Sequence, residues 1–193
     1  LRLESKRKAT LKLADTPTVF EDKRNPEHAL IIPRVSSERR KYVPMAFIDK
    51  GTIALNAVLM LAEADTYDFG VLESNVHMAW MRTVAGRLEM RYGYSARVVY
   101  NTFPWPAPTE TQKTRIEKTA QCILDARANH PGDSLADLYD PLLMPSDLRK
   151  AHIENDKAVM EAYGFDWHTM KEEDCVAELM KMYQKLVDKE NVK

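Results

Sequence analysis

Cysteine and glycine are both scarce in this chain of 193 residues, and each shortage excludes a class of protein. The two cysteines, Cys122 and Cys175, fall within helical patterns, and neither has a second cysteine nearby. Such spacing supports neither a disulfide framework nor a zinc site, so we expect two reduced, buried thiols. Six glycines are few for a protein that cradles nucleotide phosphates in glycine-rich loops.

Long apolar runs and catalytic motifs are missing as well. No segment approaches the roughly 18 apolar residues of a membrane span, and no signal-peptide pattern opens the chain, so we expect a cytoplasmic protein with no membrane partner. The sequence shows no nucleophile elbow, no Ser/His/Asp set and no histidine spacing typical of metal ligands. We therefore assign no catalytic, cofactor-binding or metal-binding residue. An independent hydrolase or nuclease would need a cluster of carboxylates or histidines that is not evident.

Charge is divided unevenly along a chain whose net charge is −1. Residues 1–106 hold 16 Lys and Arg against 12 Asp and Glu, a balance of +4, whereas residues 107–193 hold 12 against 17, a balance of −5. The first part is therefore suited to a polyanionic partner, and the second is not. The chain begins with Leu1 rather than Met, which indicates a piece of a longer polypeptide.

Three alternating prolines in residues 101–108 separate two patterns. Prolines at this spacing forbid helix and favour an extended run. We predict an α+β fold with two domains: a mixed recognition part over residues 1–106 and an all-helical part over residues 107–193. After the prolines, apolar periodicity predicts helices from about residue 110 to 130, over 135–139, from 146 to 163, and from about 171 to 188. Thr109 and Gln112 form a predicted capping box at the start of the first of these helices, and Gly164 is the predicted stop of the third.

The first part alternates short apolar segments with charged ones. A change to 3.6-residue spacing predicts one helix over residues 68–85, with Trp80 in the core. Strand-length segments cover residues 28–35, 42–48, 53–55, 58–61 and 97–100.

A basic loop, residues 36–41, joins the first two predicted strands. Cations in such a loop are suited to DNA phosphates, hydroxyls add hydrogen bonds, and arginine also contacts guanine edges. A solvated hairpin tip is the alternative. The candidate DNA-binding residues here are Arg34, Ser36, Ser37, Arg39, Arg40 and Lys41.

A second cluster of cations and aromatic rings follows the predicted helix. Its candidate DNA-binding residues are Arg82, Arg87, Arg91 and Tyr92. The alternative is that the cations complement a helix C-terminus and that the tyrosines belong to the core.

Three segments, residues 32–44 (IPRVSSERRKYVP), 76–88 (VHMAWMRTVAGRL) and 100–106 (YNTFPWP), closely resemble the C-terminal part of MmeI-like DNA methyltransferases of bacterial type II restriction–modification systems. Residues 135–140 and 148–152 resemble the same family's helical tail. The resemblance extends from about residue 29 to 186, and the first 25 or so residues match nothing in it.

The resemblance implies that an upstream Rossmann-like domain binds S-adenosylmethionine and methylates the exocyclic amine of adenine through an Asn-Pro-Pro-aromatic motif. The present chain departs from that pattern, because residues 25–27 and 101–104 are not the motif. The implied role is target recognition, with double-stranded DNA and the upstream methyltransferase domain as partners and no cofactor in this fragment. The alternative is a helical module that docks onto that domain or another subunit without DNA contact.

Overall fold

The computed structural model of this protein describes residues 2–16 and 26–191, with the side chain of residue 191 excepted. Residues 17–25, within the N-terminal stretch that the resemblance did not cover, lie outside the described residues. The α-helices are α1 (Lys8–Lys12), α2 (Thr66–Leu72), α3 (Asn75–Val84), α4 (Glu110–Ala128), α5 (Leu135–Leu138), α6 (Ser146–Ala162) and α7 (Glu172–Asn191). The strands are β1 (His28–Pro33), β2 (Val35–Ser36), β3 (Ala46–Asp49), β4 (Val58–Ala62), β5 (Gly86–Leu88) and β6 (Arg91–Gly93).

The strands form two small antiparallel sheets that share one stretch of chain. The first sheet has the order β3-β1-β4, with Leu30 opposite Phe47 and Leu61. The second has the order β2-β6-β5, with Ser36 opposite Tyr92. Because β1 and β2 are separated by one residue, the chain passes directly from one sheet into the other. The first two predicted strands do pair antiparallel, as β1 with β3. Their connection runs over residues 34–45 instead of 36–41, because β2 leaves the first sheet and joins the second.

Helices cover this sheet assembly and continue beyond it, which confirms the predicted α+β class. The helix predicted over residues 68–85 is two helices, because the hydroxyl of Ser74 accepts a hydrogen bond from the amide of His77 and begins α3. Gly70 in α2 lies against α4, and a Cβ atom there would approach Ile116 to 2.8 Å. The predicted capping box of Thr109 and Gln112 is confirmed at the start of α4.

One hydrophobic core runs through both halves of the chain. It includes Trp80, which is buried as predicted, together with Ile116 and Leu148 from the helices after the prolines. Phe103 in the proline run is buried, and the hydroxyl of Tyr163 donates a hydrogen bond to the Pro104 carbonyl at 2.8 Å. The proline run is therefore part of the packing between the two halves.

Two of the predicted strands, residues 53–55 and 97–100, are described in the structure but do not form strands. Residues 53–55 are irregular, and Leu55 is 75% exposed. Residues 97–100 lie in a short π-helix, Ala96–Tyr100. Two carbonyl groups of this π-helix accept hydrogen bonds from side chains and not from a neighbouring strand. The Trp80 indole donates to the Val99 oxygen at 3.1 Å, and the Thr102 hydroxyl donates to the Val98 oxygen.

The cysteine prediction is half right. Cys175 is buried in α7, and burial raises the pKa of its thiol to about 12, whereas Cys122 on α4 is exposed. Among the described residues, no helix is both long enough and apolar enough to cross a membrane.

Candidate nucleic-acid interface

Arg34 lies at the passage between the two sheets. Its amide donates a hydrogen bond to the Ala57 carbonyl at 2.9 Å, and its carbonyl accepts one from the Tyr94 amide at 2.8 Å. Both backbone groups are therefore fixed by neighbours on opposite sides. The side chain is exposed, and it makes no hydrogen bond or ion pair with the described residues.

The basic loop forms a tight turn that presents one free guanidinium. The Ser37 carbonyl accepts a hydrogen bond from the Arg40 amide at 3.2 Å, and its hydroxyl accepts one from the Arg39 amide at 3.2 Å. Arg39 is exposed, and within the described part of the chain its guanidinium has no partner. Arg40 instead points at α5, where its Nη2 atom lies 3.4 Å from the Ala136 carbonyl, and its Nε atom is buried without a partner.

The residues that follow the turn are held by α6. The Lys41 ammonium lies 3.6 Å from the buried carboxylate of Asp156 and 5.0 Å from the centre of the Tyr42 ring. The Tyr42 hydroxyl donates to the same carboxylate at 2.6 Å, and its ring stacks on His152 at 4.0 Å. Desolvation raises the pKa of Asp156 to about 6, although Lys41 and Tyr42 act in the opposite direction.

A second buried group fixes the chain three residues further on. The Glu73 carboxylate accepts hydrogen bonds from the Met45 amide at 2.8 Å and from Arg127 at 2.9 Å. Arg127 also donates to the Met45 carbonyl at 2.7 Å and to the Tyr139 hydroxyl at 2.9 Å. Burial raises the pKa of Glu73 to about 7 against the lowering effect of Arg127. Helices α4 and α6, both after the prolines, thus position the end of the basic loop.

Three residues of the second cluster, Arg87, Arg91 and Tyr92, lie in a β-hairpin, β5–β6, whereas Arg82 lies in α3. Glu89 at the turn of the hairpin has the left-handed conformation (φ 58°). The Arg87 guanidinium stacks over the Tyr92 ring at 3.9 Å and donates to the Met90 carbonyl at 3.0 Å. Arg91 pairs with Glu89 at 2.8 Å. Beside these charged groups, Met90 is 68% exposed at the tip.

The register of this sheet separates its side chains onto two faces. Directly opposed residues share a face, so Ser36, Tyr92 and Arg87 lie together, and Arg91 lies with Leu88 on the other side. Ser36 is 3% exposed and Tyr92 is 7% exposed. Their side chains are therefore not accessible in this structure, whereas Arg91 and Leu88 are exposed.

Arg82 is engaged within the protein. Two of its guanidinium nitrogens donate to the Glu172 carboxylate at 2.7 and 2.8 Å, and the third donates to the Lys41 carbonyl at 3.1 Å. The side chain therefore connects α3 to α7 and to the basic loop. A guanidinium used in this way has little capacity left for a phosphate.

The predicted site residues fall into four groups. Arg34, Ser37 and Arg39 surround the passage and the turn with accessible polar groups, and Arg87 and Arg91 lie on the hairpin. Arg40, Lys41 and Arg82 have internal partners, and Ser36 and Tyr92 are buried. No observation tests the DNA contacts of any of these residues, which stay predictions.

The sequence analysis missed the buried groups that position the basic loop: Tyr42, Glu73, Arg127, Tyr139 and Asp156. Glu73, Arg127 and Asp156 lie on predicted helices, but the hydrogen bonds that join them to each other and to Tyr42 connect residues 54 and 114 positions apart along the chain. A charged residue on an otherwise apolar helical face was the only signal.

The described part of the chain contains no group of three or more His, Cys, Asp or Glu side chains placed to hold a metal ion. His77 is buried with its Nε2 atom 2.8 Å from the Tyr94 hydroxyl, and burial lowers its pKa to about 3, so the ring is neutral. This histidine belongs to the core packing beneath the hairpin.

Comparison with known proteins agrees with this arrangement. Residues 1–107 match the family described as MmeI, target recognition domain, and residues 108–190 match MmeI, C-terminal domain. DNA methyltransferase A of Bacillus subtilis (strain 168) is 39% identical over 189 residues, which are 97% of this chain and 21% of that protein. The type IIL restriction–modification enzyme MmeI, solved in complex with DNA, is 47% identical with a TM-score of 0.89, over 97% of this chain and 25% of that one. The chain therefore spans between a fifth and a quarter of these relatives, and it belongs to the MmeI family of restriction–modification DNA methyltransferases.

Proposed function

We propose that this chain is the target-recognition and C-terminal part of a site-specific DNA methyltransferase and that it binds duplex DNA through the basic loop and the β5–β6 hairpin. The observation that carries the proposal is Arg39: a free, exposed guanidinium on a turn whose following residues are fixed by buried hydrogen bonds. Because the backbone after this turn is already fixed, the conformational entropy lost on contact with a phosphate is mainly that of the arginine side chain. The MmeI relative solved with DNA supports the same partner.

The two elements have different tasks in this proposal. Arg34 and Arg39 contact the phosphodiester backbone, with Ser37 close by, and so set the position of the duplex. The hairpin is a two-stranded ribbon of a size that a major groove admits, and its exposed face carries Arg91. Arg91 is the first candidate for contacts with base edges, and Arg87 is the second, since it is exposed although it lies on the other face over the Tyr92 ring. Ser36 and Tyr92 support the hairpin from beneath, because both are buried.

Methyl transfer belongs to the polypeptide upstream of this region in the parent protein. We propose that the parent binds S-adenosylmethionine there and methylates the exocyclic N6 amine of an adenine flipped out of the stack. The present chain positions the duplex for that domain. A two-domain division near residues 106–107 is part of the proposal, with the second part contributing the residues that hold the basic loop in place.

Titration of a labelled duplex with the 193-residue chain, followed by fluorescence anisotropy at several salt concentrations, tests the proposal. Arg39→Ala is expected to weaken binding to every duplex and to reduce the slope of log K against log salt by up to about 0.9, the value for one phosphate contact. Lys118→Ala is the matched control, since it removes an exposed cation from α4 and is expected to leave the slope unchanged. Absence of duplex binding by the unaltered chain would contradict the proposal.

A docking role for the helical part has one observation in its favour. Leu142 and Leu143 are adjacent, and they are 82% and 63% exposed. In that second function the helices contact the upstream domain while DNA is bound elsewhere in the parent. A pull-down of the upstream domain by the whole chain and by Leu142→Ser/Leu143→Ser distinguishes the two functions, because this double substitution is expected to leave DNA binding unchanged.

A further inference from the structure

A cleft lies between the basic loop and the helices that follow the prolines. Its volume is about 200 Å³, and it is open to solvent on one side. Arg39 and Lys41 line it from the loop, and Arg149 lines it from α6. Pro141, Met144 and Ile153 form an apolar wall. We call this space the junction cleft.

The junction cleft is cationic although the helical part of the chain is acidic. None of the described residues that line it is acidic. The lining holds three cations, and one of them, Lys41, is partly compensated by the buried carboxylate of Asp156 at 3.6 Å. The guanidinium groups of Arg39 and Arg149 have no partner among the described residues, and both side chains are exposed.

Among the described residues, the carboxylates on the adjoining helices form no ion pair with these guanidinium groups, and each has another partner. Asp137 accepts from the Ser134 hydroxyl at 2.6 Å, and Asp140 accepts from the Leu142 amide at 2.9 Å. Asp147 lies 3.1 Å from His130, which together with the Leu148 amide holds the pKa of this carboxyl below its usual range. Glu154 pairs with Lys157 at 2.6 Å. The lining of the cleft is therefore cationic, and the carboxylates around it reduce its positive potential without pairing with Arg39 or Arg149.

The position of Arg149 on its helix is fixed by packing. Leu148 and His152 are buried in the core, so α6 cannot rotate without exposing them. Arg149 and Ile153 are four residues apart and thus share the face that borders the cleft. The Tyr42 ring, stacked on His152, fixes the opposite side of the cleft relative to the same helix. The backbone of the basic loop and that of α6 at Arg149 are consequently fixed relative to each other.

We propose that the junction cleft binds a phosphodiester group of duplex DNA, with Arg39 and Arg149 contacting the phosphate oxygens and the apolar wall contacting the adjoining deoxyribose. This inference rests on the proposed function, and it adds a DNA contact from the helical part. Guanidinium groups recognise phosphate oxygens by two parallel hydrogen bonds, which suits two arginines facing one anion. The contact is independent of base sequence, because a phosphate carries no sequence information.

The test uses the whole chain and a labelled duplex, with Arg149→Ala compared to Lys150→Ala. Both substitutions remove one exposed cation from α6, but Lys150 does not line the cleft. Arg149→Ala is expected to weaken binding about three- to tenfold for every duplex sequence. It is expected to reduce the salt slope by less than the roughly 0.9 of a whole phosphate contact, because Arg39 remains on the same phosphate, whereas Lys150→Ala leaves the slope unchanged. Circular dichroism and the melting temperature check that both variants are folded.

The double variant Arg39→Ala/Arg149→Ala sharpens the assignment to one phosphate. Because both groups contact the same anion, the double variant is expected to lose less affinity than the product of the two single losses. If the affinity loss of the double variant equals the product of the two single losses, the two arginines do not share one phosphate.

Each result separates this inference from the proposed function. If Arg39→Ala weakens binding but Arg149→Ala equals Lys150→Ala, the cleft assignment is wrong and the proposed function stands. If the unaltered chain does not bind duplex DNA, both are wrong. If Arg149→Ala instead weakens only the capture of the upstream domain, the cleft binds an acidic protein segment and not DNA.

Discussion

The basic loop and the β5–β6 hairpin both carry arginines, but they are built differently. The residues after the loop are fixed by partners far along the chain: Tyr42 by Asp156, and Met45 by Glu73 and Arg127. The hairpin makes its charged contacts within eight residues, as Arg91 does with Glu89. The difference indicates that the loop is a fixed support for backbone phosphates, whereas the hairpin is a self-contained unit whose exposed side chains can change without disturbing the core.

Breaking the buried support of the loop is expected to have the largest effect. Arg127→Met removes the partner of a fully buried carboxylate, Glu73, and is expected to lower the free energy of unfolding by about 3–5 kcal/mol. The loss is expected to be smaller at pH 5 than at pH 8, because Glu73 is protonated more readily at low pH. Urea denaturation at both pH values measures it. Arg91→Met, which breaks the exposed pair with Glu89 in the hairpin, is the control. It is expected to lower the free energy of unfolding by less than about 1 kcal/mol. Equal losses in the two variants would contradict the contrast between the loop and the hairpin.

The pH dependence of stability sharpens the same comparison. The folded-state pKa of Asp156 is raised to about 6 from an ordinary value of 3.8, so its contribution to stability is fully present below pH 3.8 and is lost as pH rises through 6. Asp156→Asn removes that dependence while keeping a side-chain oxygen for the Asn75 amide. From pH 4 to pH 7, the stability of the unaltered chain relative to the variant is expected to fall by up to roughly 3 kcal/mol. Thermal unfolding of both proteins across this range measures the difference, and a constant difference would refute the assignment.

Selection from a pool of randomised duplexes tests whether the loop and the hairpin have different tasks. Arg39→Ala is expected to lower the bound fraction without changing which sequences are enriched, since it contacts phosphate. Arg91→Ala is expected to weaken enrichment at one or more positions, by about 1–3 kcal/mol where it contacts a base edge. Sequencing of the bound fraction measures both effects. If the double variant Arg87→Ala/Arg91→Ala enriches the same sequences as the unaltered chain, the hairpin makes no base contacts through these two arginines.

The smallest effect is expected at Arg82, which belongs to neither element. Arg82→Ala breaks an ion pair with Glu172 that is partly exposed and is expected to cost about 1 kcal/mol of stability or less. Because its guanidinium is engaged internally, the salt slope of DNA binding is expected to stay the same. If fluorescence anisotropy titrations at several salt concentrations show a slope reduced by about one unit, Arg82 contacts a DNA phosphate after all.

Local signals predicted much of this fold. The helix ends at Thr109 and Gly164 followed from capping chemistry and from a glycine with positive φ, and both occur where the sequence places them. The break at Ser74 is also a capping signal, but the apolar periodicity on both sides of it concealed the two shorter helices. The error at residues 97–100 had a different origin. The β-branched residues Val98 and Val99 favour a strand, but in the structure the Val99 carbonyl accepts a hydrogen bond from the Trp80 indole and the segment is a π-helix.

The site was less accessible to prediction from the sequence. Charge and the family resemblance identified the basic loop, but they did not separate Arg39, which is free, from Arg40, whose side chain turns to the Ala136 carbonyl. That distinction depends on α5, almost 100 residues further along the chain. The same holds for Arg149, which had no pattern of its own and became a candidate only through its place beside the loop.

Amide hydrogen exchange of the chain with and without duplex DNA tests the central claim most directly. DNA contact through the two elements predicts slower exchange at residues 34–41 and 86–93, and no change along the second half of α7. Protection confined to α7 or to residues 140–144, with residues 34–41 unaffected by DNA, would contradict the account.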